Sequence, residues 1–352
     1  MLFLLFVLAL CALALANLYS ATYKTGLVPF KKQVIWVGVG MVVCVWASLI
    51  DYKSVQRYAL HIYFLTLALL AAVPLLGSEI SGAKSWIALG PVSLQPSEFV
   101  KIGVIIALAK FYSGDYENRP YGLTELAKPM IIIGLPVGLI MLQPDLGTAM
   151  MICLIAATII LFMGVRVKSL LLLVALIVAL ALPAWSFFLK DYQKGRITAF
   201  LDPSRDPLGS GYNAIQSQIA IGSGRFLGKG FMHGTQTQLR FLPEQHTDFA
   251  YSVIGEEFGF VGAFVLLMLY LFLVIWALDT GSKAKDKFSG VVCVGVAAMF
   301  FWHLMVNVGM VTGLLPVVGV PLLLISYGGS SLLTAMVAIG LVLGIRMRRF
   351  RV

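Results

Sequence analysis

Charge is what this chain has least of. Asp, Glu, Lys and Arg make up 12% of its 352 residues, against roughly 25% in a soluble domain. That deficit excludes a water-soluble globular fold, because too few polar side chains remain to cover the apolar ones. Cysteine is scarce too. Cys11, Cys44, Cys153 and Cys293 all lie in apolar runs without a CxxC spacing, which argues against a disulfide framework or a structural zinc site. The chain also lacks internal repeats, heptads and low-complexity tracts. The Gly-rich stretch Gly222–Gly230 fails as a phosphate loop. No two of its glycines have four residues between them, and Gly230 stands where Ser or Thr must follow Lys229. A dinucleotide fingerprint fails at Leu227, so a tight turn is expected, with Arg225 and Lys229 near lipid headgroups. No Asp-x-Asp pair is present to hold a metal-bound nucleotide sugar.

What is present is hydrocarbon. Sixty per cent of residues are hydrophobic and the mean hydropathy is +0.93. Apolar runs long enough to cross about 30 Å of lipid recur along the whole chain. They predict ten spans, at roughly 1–19, 33–50, 58–76, 96–112, 128–142, 146–163, 169–188, 249–278, 288–311 and 322–345. Backbone polar groups in lipid must be satisfied internally, so these spans should be helices. The first carries no basic n-region and no small-residue cleavage site, and is expected to be a retained helix. The fold class expected is an all-α polytopic membrane protein, residues 1–352 forming one transmembrane domain with a long loop at about 189–248.

Lys and Arg orient it. With the C-terminal Arg346, Arg348, Arg349 and Arg351 inside, ten spans place both termini in the cytoplasm. The inside segments then hold thirteen basic residues, and the short outside loops hold four: Lys24, Lys31, Lys32 and Lys84. The formal charge of +10 is therefore mostly topology and calls for no nucleic-acid partner. An enzyme on the outer face has no nucleotide to draw on, so its substrate must arrive already activated, and lipid-linked pyrophosphates have that property.

Several polar groups stand at membrane depth, where they are costly. Asp248 closes the segment Phe241–Phe249 at the mouth of the eighth span. It is either a helix cap or a general base whose pKa is raised by partial desolvation. Glu256 and Glu257 cannot share a helix face, so one should meet a basic partner and the other a wet groove. Glu98 and Lys101 are three apart on the fourth span and share a face, as a structural pair or as a substrate contact. Asp145 in Gln143–Thr148 reads as a cap for the sixth span. Ile325–Ser331, preceded by Pro316 and Pro321, suggests an irregular approach to the last span whose hydroxyls could bind phosphate or sugar. His303 and Asn307, four apart, suggest an interhelical hydrogen bond.

These segments, Gln95–Lys101, Gln143–Thr148, Ile219–Gly230, Gly234–Phe249 and Pro316–Ser331, occur in the order and ten-span frame of a known family. The chain resembles the SEDS proteins (shape, elongation, division and sporulation), and their RodA branch more than their FtsW branch. Its visible departure is a very short stretch before the first span. The resemblance implies a GT-C-like SEDS fold in the bacterial cytoplasmic membrane. It also implies a peptidoglycan glycosyltransferase that polymerises lipid II on the outer face, releasing undecaprenyl pyrophosphate with inversion. It implies Asp248 as the required acidic residue, and a class B penicillin-binding protein as partner. Lys101, Arg196 and Arg240 are then the expected cations for the leaving pyrophosphate, with room for a divalent cation such as Mg2+. Glu98, Gln216, Ser326 and Ser330 are further expected substrate-binding residues. The rival function is a flippase for the same lipid-linked precursor, which would have to expose a polar path to both faces in turn.

Overall fold

A computed structural model describes residues 2–24, 26–80, 83–90, 92–114, 119–183, 186, 191–202, 210–239, 241–242 and 244–348. The long helices follow the apolar runs: α1 (Leu2–Thr22), α2 (Val28–Leu49), α4 (Ala59–Leu76), α5 (Pro96–Ser113), α6 (Ala127–Leu142), α7 (Leu146–Met163), α8 (Val167–Pro183), α12 (Ala250–Ser282), α13 (Lys287–Val311) and α14 (Gly329–Arg348). All ten expected spans are therefore helices. Seven of them are both long and apolar enough to cross a bilayer on those criteria alone. Of the others, α5 carries Glu98, Lys101 and Lys110, and α6 is 16 residues long.

Local chemistry sets several helix starts. Pro29 and Pro96 occupy the first turns of α2 and α5, where a missing N–H costs nothing. Asp286 accepts from the Ser289 N–H at 2.8 Å and opens α13. The tenth span begins at Gly329 instead of 322, because residues 312–328 are irregular. Gly319 at φ +73° and Leu324 at φ +69° lie in the left-handed region, which a continuous helix cannot accommodate. Val320, Leu322, Leu323 and Ile325 within this segment are buried, as irregular backbone at membrane depth requires.

Among the described residues there are four short helices as well: α3 (Tyr52–Arg57), α9 (Asp191–Leu201), α10 (Ser210–Ser223) and α11 (Thr235–Gln238). Of these, α9, α10 and α11 lie in the long loop. A small antiparallel sheet also departs from the all-helical expectation, with β1 (Ser78–Ile80), β2 (Ala83–Leu89) and β3 (Val92–Leu94) in that order. Its register pairs Ser78 with Trp86 and Ile87 with Leu94.

The core is centred on α5 and α13, whose side chains are buried on nearly every face, as for a helix apolar all round. By contrast α2, α4, α6 and α8 expose rows such as Ile35, Val42 and Trp46 or Leu171, Leu172 and Val178, surfaces suited to lipid. α12 is kinked at Gly259 (φ +63°, ψ −158°). There the Gly-rich turn packs backbone on backbone: Phe260 N–H donates to the Arg225 carbonyl at 2.9 Å, and Lys229 N–H donates to that of Glu256 at 3.0 Å. At one end of the bundle Arg348 reaches the Ser48 and Leu49 carbonyls and Arg346 pairs with Asp279. At the other end the sheet, the 143–146 hairpin, the 224–249 loop and the 312–328 segment come together.

Candidate active site

That second end holds a cavity of about 450 Å³. Its lining is acidic and aromatic, with Glu98, Asp145, Glu244 and Asp248 beside Trp36, Trp86 and Tyr327. Lys32 lines it as well, and Gly319, Gly328 and Gly329 leave backbone open to the space.

Asp248 is not a helix cap. The N-cap of α12 is Phe249, which makes no side-chain capping bond. Asp248 closes the 244–249 turn, and among the described residues none donates a hydrogen bond to its carboxylate. The turn is held by its backbone instead. Asn307 Nδ2 donates to the Asp248 carbonyl at 2.8 Å, Tyr327 N–H to the His246 carbonyl at 2.9 Å, and Gln245 Nε2 to the Ala21 carbonyl at 2.8 Å. Gly319 faces the carboxylate so closely that a Cβ there would lie 3.3 Å from Asp248 Oδ2. Burial pushes the Asp248 carboxyl up to about 6, the negative charges of Glu244 and Asp145 push the same way, and the Arg196 guanidinium opposes them. A carboxylate with that pKa can accept a proton near neutral pH.

Asp145 does cap α7, accepting from the Thr148 N–H at 3.0 Å, and it also lines the cavity and accepts from Gln95 Nε2 at 3.3 Å. Of the two roles that sequence left open for Glu98, the geometry shows the structural pair. One carboxylate oxygen accepts from Lys101 Nζ at 2.8 Å, while Oε2 has no partner and the residue lines the cavity. Lys101 itself is 1% exposed, lies behind that lining, and meets His303 Nε2 at 3.0 Å. His303 Nδ1 lies 2.9 Å from the Pro321 carbonyl, so Nδ1 carries the proton and Nε2 accepts from the ammonium. Ser330 and Ser326 are buried and tied into the backbone. Gln95 N–H donates to Ser330 Oγ and Leu322 N–H to Ser326 Oγ, both at 2.9 Å. Arg196 lies on α9 beside a separate cavity of about 110 Å³ that Gln218, Gly313 and Val317 also line. Gln216 is half-buried on α10 and lines neither cavity. Arg240 lies outside the described residues.

Lys229 does not reach toward headgroups. It pairs with the buried Glu256 at 2.8 Å, and the Gln236 and Thr237 N–H groups donate to the same carboxylate. Glu257 meets no wet groove either: it is 1% exposed and accepts from the Ser20 hydroxyl. Both carboxylates therefore fasten the long loop and α1 to α12. Lys32, Trp36, Trp86 and Asn307 were not foreseen at the site. The Lys31–Lys32 pair at the head of α2, with Trp36 one turn on, was the signal available, since charge and aromatic ring share a helix face.

Comparison with known proteins shows what the chain is similar to. The family model described as a cell cycle protein, that of FtsW, RodA and SpoVE, matches residues 1–350. The peptidoglycan glycosyltransferase MrdB of Escherichia coli strain K12 is 40% identical over 319 residues, covering 91% of this chain and 86% of that protein. The peptidoglycan glycosyltransferase RodA of Treponema pallidum is 34% identical, covering 99% and 97%. Among solved structures, a chain from a study of polymerization and crosslinking by a peptidoglycan synthase complex superposes with a TM-score of 0.85 at 32% identity, covering 99% and 98%. The rod shape determining protein RodA of Thermus thermophilus superposes with a TM-score of 0.74 at 28% identity, covering 99% and 97%.

Proposed function

The chain belongs to the cell cycle protein family of FtsW, RodA and SpoVE and is a peptidoglycan glycosyltransferase; we propose that it polymerises lipid II with Asp248 as general base. The observation that carries this is the Asp248 carboxylate itself. It caps no helix, and it faces a polar cavity with a pKa pushed up to about 6. The acceptor is a sugar 4-hydroxyl, a weak nucleophile at neutral pH. Asp248 takes its proton as the oxygen attacks the anomeric carbon of the donor. The bond from that carbon to the pyrophosphate breaks on the opposite face, and undecaprenyl pyrophosphate leaves with the electron pair, so configuration inverts.

Charge gathers on the leaving group and calls for cations. Lys32 lines the cavity and Arg196 acts on Asp248 from α9. Lys101 is screened by Glu98 and His303, which suits a residue that fixes Glu98 more than one that touches pyrophosphate. Trp36, Trp86 and Tyr327 offer faces for a sugar ring. Among the described residues no three His, Cys, Asp or Glu converge as metal ligands. These residues form no preformed cage for a divalent cation, and no step above depends on one.

The cavity lies at the end of the bundle opposite Arg346 and Arg348. The excess of basic residues at that opposite end supports an extracytoplasmic site with cytoplasmic termini. A class B penicillin-binding protein is the partner proposed, to cross-link the strands as they emerge.

The test is glycan formation from purified lipid II by the chain and by its Asp248→Asn variant, each with a class B partner and with moenomycin present to silence classical glycosyltransferases. Polymer from the first and none from a folded variant is expected. Undiminished polymer from the variant would remove Asp248 from the chemistry, and none from either would overturn the polymerase assignment.

A further inference from the structure

Residues 314–321 form no helix or strand, yet buried carbonyls along such a segment must find donors. Two come from α13. His303 Nδ1 meets the Pro321 carbonyl at 2.9 Å, and Asn307 Nδ2, one helical turn on, donates to the Val320 carbonyl at 2.8 Å. The two side chains share a face of α13 at a spacing of four, and so hold consecutive carbonyls in register.

Asn307 does more than His303. Its other amide hydrogen goes to the Asp248 carbonyl, also at 2.8 Å. Neither acceptor belongs to a helix, so this is not an ordinary interhelical bond. It joins the turn that carries Asp248 to the irregular segment that carries Gly319, whose Cα faces Asp248 Oδ2. The side chain is fully buried, and its Oδ1 has no partner. Turning the amide over would set Oδ1 against two carbonyl oxygens, so both N–H groups are committed where they are.

We propose that Asn307 is a positioning residue for Asp248, its amide setting the distance between the catalytic turn and the 318–321 segment across from it. This rests on Asp248 being the general base. It predicts a separation of effects. His303 still holds Pro321, Tyr327 still holds His246 and Gln245 still reaches Ala21 when Asn307 is removed. The bundle therefore stands while the carboxylate loses its placement. A misplacement of about 1 Å can cost on the order of 100-fold in rate.

The carboxylate also sits in a field that depends on its position. Glu244 in its own turn, Asp145 at the head of α7 and Arg196 on α9 act on it, and Lys32 and Glu98 line the same cavity. Displacement changes all these distances together, so the acid limb of the rate profile should move. Loss of folded protein alone would lower the amplitude and leave the midpoint where it was.

The experiment measures lipid II polymerisation by the full chain with a class B partner, for wild type, Asn307→Ala, Asn307→Asp and Asp248→Asn. Rates are taken per folded molecule from size-exclusion and thermal-unfolding measurements. Asn307→Ala should lose about 10-fold or more in kcat with KM within about twofold, and the acid midpoint should leave the wild-type value. Asn307→Asp, which removes both donors and sets an acceptor against two carbonyls, should be at least as impaired at neutral pH, and it substitutes if the Ala variant does not fold. Unchanged kcat, or a lower kcat with an unmoved midpoint, would assign Asn307 to packing and overturn the proposal. Activity in Asp248→Asn would instead show that the general-base assignment itself had failed.

Discussion

Lys229 Nζ lies 2.8 Å from Glu256 Oε1, with the Glu256 side chain fully buried and that of Lys229 25% exposed. The pair is lopsided. Thr235, Gln236 and Thr237 also donate to Glu256, so the carboxylate is the hub of the 229–237 loop and the ammonium is one of several spokes. Glu256→Ala strands two backbone N–H groups and frees the loop, whereas Lys229→Ala leaves the carboxylate other donors. We expect Glu256→Ala to cost about 3–5 kcal/mol and Lys229→Ala less. Thermal unfolding in detergent and limited proteolysis of the loop check the order.

The Glu98–Lys101 pair predicts a different pattern, because both side chains are buried. Removing either alone leaves an uncompensated charge, at a cost of about 3–5 kcal/mol. Replacing both, as Glu98→Leu with Lys101→Met, should restore most of the unfolding temperature. It should not restore polymerisation, since Glu98 lines the cavity and its carboxylate is gone. Recovery of activity in the double variant would make the pair purely structural.

The rate should depend on pH through Asp248. A general base works ionised, so kcat/KM should rise with pH through a midpoint near 6, the value to which burial pushes this carboxyl. Arg196 favours the charged form and Glu244 disfavours it. Arg196→Gln should therefore move the acid limb to higher pH, and Glu244→Gln to lower pH. Shifts of the same sign in both variants would mean that the profile reports another group.

Two glycines with positive φ should fail differently on gaining a methyl. At Gly259 (φ +63°) a Cβ would lie 2.3 Å from the Gly228 nitrogen, inside backbone that cannot move away. Gly259→Ala should prevent folding or lower the unfolding temperature sharply. At Gly319 (φ +73°) the nearest atom is Asp248 Oδ2 at 3.3 Å, so Gly319→Ala should cost of order 1–3 kcal/mol in backbone strain. Its larger effect should be on polymerisation rate, read from lipid II assays on the folded variant.

Much of this protein is decided one segment at a time. Each span needs only its own apolar run and its own backbone hydrogen bonds, so Leu2–Thr22 or Lys287–Val311 could be placed without knowledge of any neighbour. Asp248 stood out for a similar reason, since an acid at the mouth of an apolar helix is conspicuous wherever the chain goes. The boundary at Gly329 was not local: residues 322–328 are as apolar as a helix start, but tertiary contacts from His303, Asn307 and Gln33 hold the backbone ahead of α14 in an irregular path. Partner choice was not local either. Lys229 could have met lipid or any carboxylate, and only the packing of Gly224, Gly228 and Gly259 brings it to Glu256. Lys32 and Trp36 were hidden among topology-setting charges and lipid-facing rings until the fold set them beside residues more than two hundred positions away. Burial in hydrocarbon is a property of each segment, while a polar site inside it depends on which buried groups meet, and that is settled when the helices pack.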